Sequence, residues 1–286
     1  MSNQVKANRR CYRASLAVLW FVAGVQCPAY AEDRIQGRLK FSPQVAGSID
    51  ASINIFRAKE TSPVKVLTVS ASSPFDFGEP APDHDAASPL KITVFVVSPK
   101  NYVPTVPSYE KRFGVAFNET VLLRIRADVF SAQLQRVSSS SNVGEAQDAY
   151  SYALSLAEGD EQKLATYRQY AGWAANTNGP KAQLKILEEA RRNTNFGEIK
   201  DERKLVYWKE RFDGYLRSVD FLKQPEPVKG FGARVTRNDD LHGEWQKMVT
   251  EFSKDYPTVI KPAPRGDSAA VSGQLSDMRT FLGHTN

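Results

Sequence analysis

The sequence predicts an α+β multidomain protein in which an N-terminal antiparallel β-sandwich, residues 32–136, precedes an all-α helical-hairpin domain, residues 144–223. Three observations lead to this fold class. Upstream of residue 137, apolar and polar residues alternate in short runs, as on half-buried strands. Downstream of residue 143, apolar residues recur every three or four positions, as on amphipathic helices. The serine-rich segment 137–143 between the two patterns predicts a flexible linker.

Residues 1–31 have the features of a secretory signal peptide. A basic start without acidic residues is followed by an apolar run from Ala14 to Val25, and Ala29-Tyr30-Ala31 has the small-x-small pattern that a signal peptidase recognises. The apolar run is shorter than the roughly 20 residues needed to span a bilayer. We therefore predict cleavage between Ala31 and Glu32 and a periplasmic or secreted mature protein.

Removal of this leader changes the composition of the chain. Both cysteines, Cys11 and Cys27, lie within it, so the mature chain is predicted to be cysteine-free and without disulfides. The leader also holds four of the 38 basic residues and none of the 32 acidic ones, so the net charge falls from +6 to +2 and nucleic acid is not an expected partner. We expect no transmembrane segment in the mature chain. Lipid attachment at Cys27 is an alternative, although Gln26 precedes it where lipoproteins have a small residue.

Three well-defined strands support the predicted sandwich. Residues 49–55 and 121–125 alternate between apolar and polar side chains, which gives each strand one apolar face. Residues 90–97 are apolar on both faces, as in a central strand packed on two sides. Further short runs bring the count to about six or seven strands, in the range of a sandwich. These runs are Ile35–Phe41, Val64–Ser70 and Phe113–Phe117.

The helical-hairpin domain is predicted from three apolar stripes. The longest stripe continues down one side of a helix with spacings of 3, 4, 3, 4 and 3 residues. It consists of Leu205, Trp208, Phe212, Tyr215, Val219 and Leu222. Two shorter stripes begin at Leu164 and Leu184, and breaks at Gly159 and Asn178–Pro180 separate the helices. These helices must pack on one another to bury their stripes.

The segment 224–286 is predicted to contain a linker, an amphipathic helix at residues 239–254 and a flexible tail. Residues 256–273 are rich in proline, serine, alanine and glycine, which favours an extended conformation. The apolar face of the helix would consist of Leu241, Trp245, Met248 and Phe252. A further short helix is predicted from the spacing of Leu275, Met278 and Leu282.

The sequence contains none of the common catalytic motifs. A GxSxG elbow, an HExxH pair and a glycine-rich phosphate-binding loop with its lysine are all absent. Asp83-His84-Asp85 is a compact set of metal-ligating residue types, but it lies among proline and alanine residues, and we interpret it as a solvated loop. Glu188-Glu189 and Asp201-Glu202 are interpreted as solvated helix faces. We therefore predict no catalytic residue, no metal and no cofactor.

Aromatic residues are the remaining candidates for ligand contact. Trp173 and Trp245 lie in helical segments, and Tyr170 and Tyr207 fall beside the main apolar stripes. Packing inside the helical domain accounts for such residues by itself. A groove lined by Tyr170, Trp173, Tyr207 and Trp245 would instead hold a peptide or a sugar.

These observations favour an exported, non-catalytic binding or protein-interaction protein of the cell envelope, with an envelope protein or a cell-surface glycan as its partner. The helical hairpins would form the interaction surface, and the sandwich would fix the protein within an envelope assembly. Two alternatives stay open: a periplasmic enzyme acting on envelope polysaccharide or peptidoglycan, and a glycan-binding module without turnover. A cleft with two carboxylates of shifted pKa would favour the enzyme, whereas an apolar aromatic groove would favour a binding module.

Overall fold

The chain folds as a mixed α+β protein. A computed structural model describes residues 33–45, 47–223, 231–260 and 268–283. Within these ranges eight strands come first and seven α-helices follow, so the predicted order of a β part and a helical part is confirmed. The predicted leader, its cleavage site between Ala31 and Glu32 and the alternative lipid site Cys27 lie outside the described residues.

The strands form two four-stranded sheets. Their bounds are β1 Arg34–Ser42, β2 Ser48–Arg57, β3 Lys65–Ser72, β4 Phe75–Pro80, β5 Leu90–Ser98, β6 Tyr102–Pro104, β7 Tyr109–Lys111 and β8 Phe117–Ile125. The first sheet has the order β4-β1-β8-β6, and the second has the order β3-β2-β5-β7. The edge strands of the first sheet are therefore β4 and the short β6. Those of the second sheet are β3 and the short β7.

One strand pair is parallel, and the prediction of an entirely antiparallel arrangement is wrong for it. β1 runs beside β8 in the same direction, from Ile35 opposite Phe117 to Ser42 opposite Arg124. The other pairs between these strands are antiparallel. The chain builds the whole second sheet before β8 returns to the first, so β1 and β8 meet through a long connection and not through a hairpin.

Alternation along the strands buries one face of each sheet in a common apolar core. Ile35 and Leu39 come from the first sheet and Ile53 and Ile92 from the second, and each is at most 2 % exposed. Successive side chains point to opposite faces of a strand, so their neighbours in sequence face outward. Full burial of each such residue stabilises the fold by about 1.5–3 kcal/mol.

The second face of β5 is open, although its sequence predicts packing on both sides. Phe95 is 62 % exposed and Val97 is 46 % exposed, whereas Leu90 and Ile92 on the inner face are fully buried. One apolar face of β5 therefore packs in the core, and the other forms an exposed apolar surface on the outer side of the second sheet.

The helical part begins earlier than predicted. Its elements are α1 Arg126–Ser139, α2 Val143–Leu156, α3 Asp160–Asn178, α4 Pro180–Asn193, a short 3-10 helix Phe196–Glu198, α5 Asp201–Lys223, α6 Phe231–Asp255 and α7 Ser268–Phe281. α1 follows β8 without a loop and continues into the predicted linker 137–143, because Val137 is fully buried on the same helix face as Phe130 and Gln133. This burial outweighs the weak helix propensity of the serines. Asn142 then caps α2 by accepting a hydrogen bond from the Gly144 backbone N–H at 2.8 Å.

The long stripe on α5 is confirmed in the part whose side chains the structure describes. Trp208 and Phe212 are fully buried, Tyr215 is 8 % exposed, and Leu205 and Val219 pack against the same core. α4 and α6 pack alongside, so this helix is the centre of the helical part.

The C-terminal segment is more helical than predicted. α6 is longer than the predicted helix 239–254, and α7 occupies residues assigned to the end of the flexible tail. Met278 is fully buried and Leu282 is 8 % exposed in the core that contains Trp208. α7 therefore docks on the helical core through the stripe that its spacing predicts. None of the helices in the described ranges is long and apolar enough to cross a membrane.

We predict that Gly37→Ala destabilises the protein by about 1–3 kcal/mol, because a Cβ atom there would overlap the packed core. That atom would lie 2.5 Å from Phe77 Cζ and 2.7 Å from the Glu119 carbonyl oxygen. Gly78→Ala on the neighbouring strand is the matched control, since its nearest contact is Gln36 Cγ at 3.7 Å. Urea unfolding of both variants tests this expectation, and equal stabilities would contradict it.

Candidate binding cleft

A cleft of about 450 Å³ lies where the β part meets the first two helices. Lys91 of β5 and the loop residues Val106–Ser108 line one wall. The other wall consists of Gln133 and Arg136 from α1 and of Asp148, Ala149, Ser151, Tyr152 and Ser155 from α2. This volume lies within the range typical of small-molecule and cofactor pockets.

The local chain path explains why the cleft forms at this place. Since α1 starts at Arg126 directly after β8, the helix leaves from the end of the first sheet, and the Arg126 backbone N–H donates to the Asn101 carbonyl at 2.7 Å. The short connection of residues 140–142 then turns α2 back against α1. Both helices are thereby held next to the loop that follows β6.

Two buried side chains on the cleft wall fasten the helices to the sheet. The Tyr152 hydroxyl donates a hydrogen bond to the Pro104 carbonyl, and Gln133 Nε2 donates to the Thr105 carbonyl at 3.3 Å. Tyr152 and Gln133 are 8 % and 7 % exposed. These bonds satisfy backbone carbonyls at the edge of the first sheet that would otherwise need another partner.

The charged groups of the cleft are exposed and have no oppositely charged partner among the described residues. Lys91, Arg136 and Asp148 are exposed, and none of the three forms an ion pair with another residue in the described part of the chain. A cleft with two cations and one carboxylate can attract a ligand that carries both signs of charge. Val106, which is 41 % exposed, adds an apolar lip.

Among the residues that line the cleft, only one is a carboxylate, and none is a histidine or a cysteine. Burial raises the pKa of Tyr152 well above its ordinary value, so its hydroxyl stays protonated and acts as a hydrogen-bond donor. The arrangement provides charge and hydrogen bonding for recognition.

Of the residues predicted to contact a ligand, Tyr170 and Trp173 lie together in an aromatic stack. The Tyr150 and Tyr170 rings are 4.3 Å apart with an interplanar angle of 15°, and the Tyr170 and Trp173 rings are 5.5 Å apart at 6°. Trp173 Nε1 donates to the Ser140 carbonyl at 2.8 Å. Trp173 is only 5 % exposed, and the stack joins α2 to α3 in the apolar cluster that also contains Ala149, but none of the three rings lines the cleft.

The other two predicted contact residues are core residues. Tyr207 is fully buried, and its hydroxyl donates to the Leu187 carbonyl at 2.9 Å. Trp245 is 1 % exposed, and its Nε1 donates to Gln274 Oε1 at 3.2 Å. Neither ring lines an open groove, so the four predicted residues do not form one site.

His84 is also placed differently from its interpretation as part of a solvated loop. Its side chain is 3 % exposed, Nδ1 lies 2.9 Å from the Pro82 carbonyl oxygen, and Nε2 lies 3.4 Å from Asp33 Oδ2. Asp33 also pairs with the buried Lys111 at 2.7 Å. This polar cluster fixes the start of β1, and no set of three or more histidine, cysteine or acidic residues in the described ranges is arranged to hold a metal ion.

The cleft was not predicted from the sequence, although α2 carries a signal for it. Asp148, Ser151 and Ser155 recur at helical spacing, so they form a polar stripe beside the buried Tyr152. Such a stripe is also typical of a solvated face. The loop residues opposite it come together with α2 only through the tertiary fold.

No protein-family model, curated protein sequence or solved structure matches the chain significantly.

We predict that Tyr152→Phe lowers the free energy of unfolding by about 1–3 kcal/mol, because the Pro104 carbonyl loses its buried donor. Tyr256→Phe is the control: the Tyr256 hydroxyl is also buried, and it has no hydrogen-bond partner in the described residues. Chemical denaturation measures both changes. A loss in Tyr256→Phe as large as that in Tyr152→Phe would show that the bond to Pro104 contributes nothing.

We also predict a loss of stability above pH 10. Burial raises the pKa of Tyr207 from its ordinary value of 10.0 to about 12. Between these values the unfolded chain releases the proton and the folded chain retains it, so stability falls by about 1.4 kcal/mol per pH unit for this group. Urea unfolding from pH 9 to pH 12 would show a shallower decline for Tyr207→Phe, and an unchanged slope would contradict the assignment.

Proposed function

We propose that the protein is an exported, non-catalytic binding protein of the cell envelope, and that the cleft between the sheets and the α1–α2 hairpin receives a segment of an envelope protein. The observation that carries this proposal is the set of three charges around a cleft of about 450 Å³, at Lys91, Arg136 and Asp148, that form no ion pair among the described residues. In this proposal the leader directs export, and cleavage after Ala31 releases the mature chain.

The chemistry of the cleft supports binding over hydrolysis. Glycoside hydrolysis generally requires two carboxyl groups flanking the scissile bond, about 5 to 10 Å apart. Asp148 is the single carboxylate among the lining residues. General base catalysis by imidazole has no candidate there either, because no histidine lines the cleft.

The charges also distinguish between the two classes of partner. A protein segment carries acidic and basic groups that can pair with Lys91, Arg136 and Asp148. A neutral glycan would pair with none of them, and charged groups that are desolvated without a partner oppose binding. The exposed lip at Val106 adds a contact for an apolar side chain. A protein ligand can therefore form ion pairs and an apolar contact in the cleft, whereas a neutral sugar cannot form the ion pairs.

In the same proposal the two sheets act as a β-sandwich that holds the cleft in place. Their inner faces contribute to one apolar core, which supports this description. The helical wall of the cleft is then held in a fixed position on the sheets. It is attached by the direct connection from β8 to α1 and by the hydrogen bonds of Tyr152 and Gln133.

A glycan-binding module is the second candidate, and a specific surface favours it. A shallow polar depression of about 590 Å³ lies on the outer face of the first sheet, around Gly78. Gln36, Asn118 and Thr120 offer side-chain amides and a hydroxyl there, next to a two-bond pairing of Arg38 with Asp76. These groups suit the hydroxyls of a sugar, although the depression lacks an exposed aromatic ring among its lining residues.

The test is affinity capture from cross-linked native envelope with the tagged chain from Glu32 to Asn286. We expect one protein to be enriched with the wild type and to be reduced about tenfold or more with Arg136→Glu, a change of about 1.4 kcal/mol in binding. Arg203→Glu is the matched control, because Arg203 is exposed on α5 and has no ion pair among the described residues.

Two results would contradict the proposal. Equal capture by the wild type and Arg136→Glu would remove the cleft from the interaction. Enrichment of glycan without protein, abolished by Asn118→Ala and not by Arg136→Glu, would instead assign binding to the depression on the first sheet.

A further inference from the structure

Strand β3 is an edge strand that lacks the protection found at the other sheet edges. It pairs with β2 over eight consecutive residues without a register shift, from Ser48 opposite Ser72 to Ile55 opposite Lys65. No strand in the described ranges pairs with its other side. Along Val66–Ser72 the strand has no charged residue and no proline. Edges of this kind are templates for pairing with another strand.

Each of the three other edge strands has a feature that hinders pairing with a further strand. β4 carries the charged residues Asp76 and Glu79 and ends at Pro80. β6 has three residues, and its edge carbonyl at Pro104 accepts the Tyr152 hydroxyl of α2. β7 also has three residues, two of which are charged. Charge, proline, shortness and cover are the usual means of preventing edge pairing. In the described residues the segment Val66–Ser72 of β3 has none of them, since the one charge of the strand, Lys65, lies at its end.

The apolar core is also incompletely closed at this edge. Among the side chains that pack against the core of the sheets while staying half-buried are Leu67 and Ala71 of β3, Phe75 of β4, and Val64 just before β3. By contrast, Val121 and Leu123 of the interior strand β8 are fully buried. A strand added to β3 would supply inward-facing side chains next to Leu67 and Ala71 and would remove apolar area from water.

We propose that β3 is a dimerisation edge on which a second copy of this chain pairs its own β3 in antiparallel orientation, about a two-fold axis at Thr68. In this register Thr68 faces Thr68 of the second copy, Val66 faces Ser70, and Leu67 faces Val69. Inward residues oppose inward residues, so the two cores become continuous. The second sheets of the two copies then form one sheet of eight strands.

The lack of charge favours a second copy over a foreign strand as the occupant. A heterologous partner is commonly selected and oriented by complementary charges, and Val66–Ser72 offers none. Two-fold self-pairing needs no such selection, because symmetry gives both copies the same register. It also brings no like charges together, since Lys65 lies at the strand end and pairs with Glu79 at 3.1 Å.

Sedimentation velocity of the chain from Glu32 to Asn286 over a range of concentrations tests the proposal. We expect a concentration-dependent dimer, because a single strand pair buries less than the roughly 1,600 Å² of a standard stable interface. Thr68→Lys places two lysines opposite each other at the axis and should leave a monomer. Thr250→Lys is the matched control, an exposed threonine of helix α6 and outside both sheets, and it should remain dimeric.

Disulfide trapping gives a second readout that does not depend on a destabilising charge. The cysteine-free chain with Thr68→Cys should form a covalent dimer under mild oxidation, because directly opposed Cβ atoms in antiparallel pairs are about 4.5–5.5 Å apart. Thr250→Cys should not. A monomer at every concentration, a dimer that survives Thr68→Lys, or a disulfide between the Thr68→Cys variant and a different protein would each overturn the proposal.

Discussion

Strand β8 ends at Ile125 and helix α1 begins at Arg126, so no loop separates the sheets from the helices. The packing that stabilises this join is a small apolar cluster of Val103, Val129, Phe130, Tyr152, Ala153 and Leu156. The larger of these side chains contribute about 1.5–3 kcal/mol each on full burial. Because the cluster contains residues of β6, α1 and α2, it sets the angle at which the first hairpin leaves the sheets and thereby forms the cleft.

The ion pairs of Arg191 and Arg211 between α4, α5 and α6 are buried or half-buried, whereas the charged residues of the cleft are exposed. Arg211 is 1 % exposed and pairs with Glu251, and Arg191 pairs with Asp255 at 2.9 Å, so α4, α5 and α6 are joined through buried or half-buried ion pairs. Burying a charge requires such a partner. Lys91, Arg136 and Asp148 are exposed instead and need no partner within the chain, which leaves them available to a ligand.

The fold was predictable wherever local patterns determine it. Alternation identified β2 and β8, a run that is apolar on both faces identified β5, and the spacing from Leu205 to Val219 identified α5. The parallel pairing of β1 with β8 depends on residues far apart in sequence, and so does the cleft that Val106 and Asp148 both line. No local pattern predicts either of them. The serines near Val137 predict a linker because their helix propensity is weak. The burial of Val137, which outweighs that propensity, depends on the tertiary fold. Tyr207 and Trp245 illustrate the same limit, since an aromatic residue in a helix has the same spacing in a core and in a groove.

The most direct test of the cleft as a binding site is photo-crosslinking in intact cells, with p-benzoylphenylalanine at Val106 on the lip of the cleft and, as a control, at Val143, which is 52 % exposed at the start of α2 and outside the cleft lining. We expect a single protein adduct at position 106 that disappears with Arg136→Glu, and no adduct at position 143. An absence of adducts at 106, or the same adducts at both positions, would contradict the assignment of the cleft as the binding site.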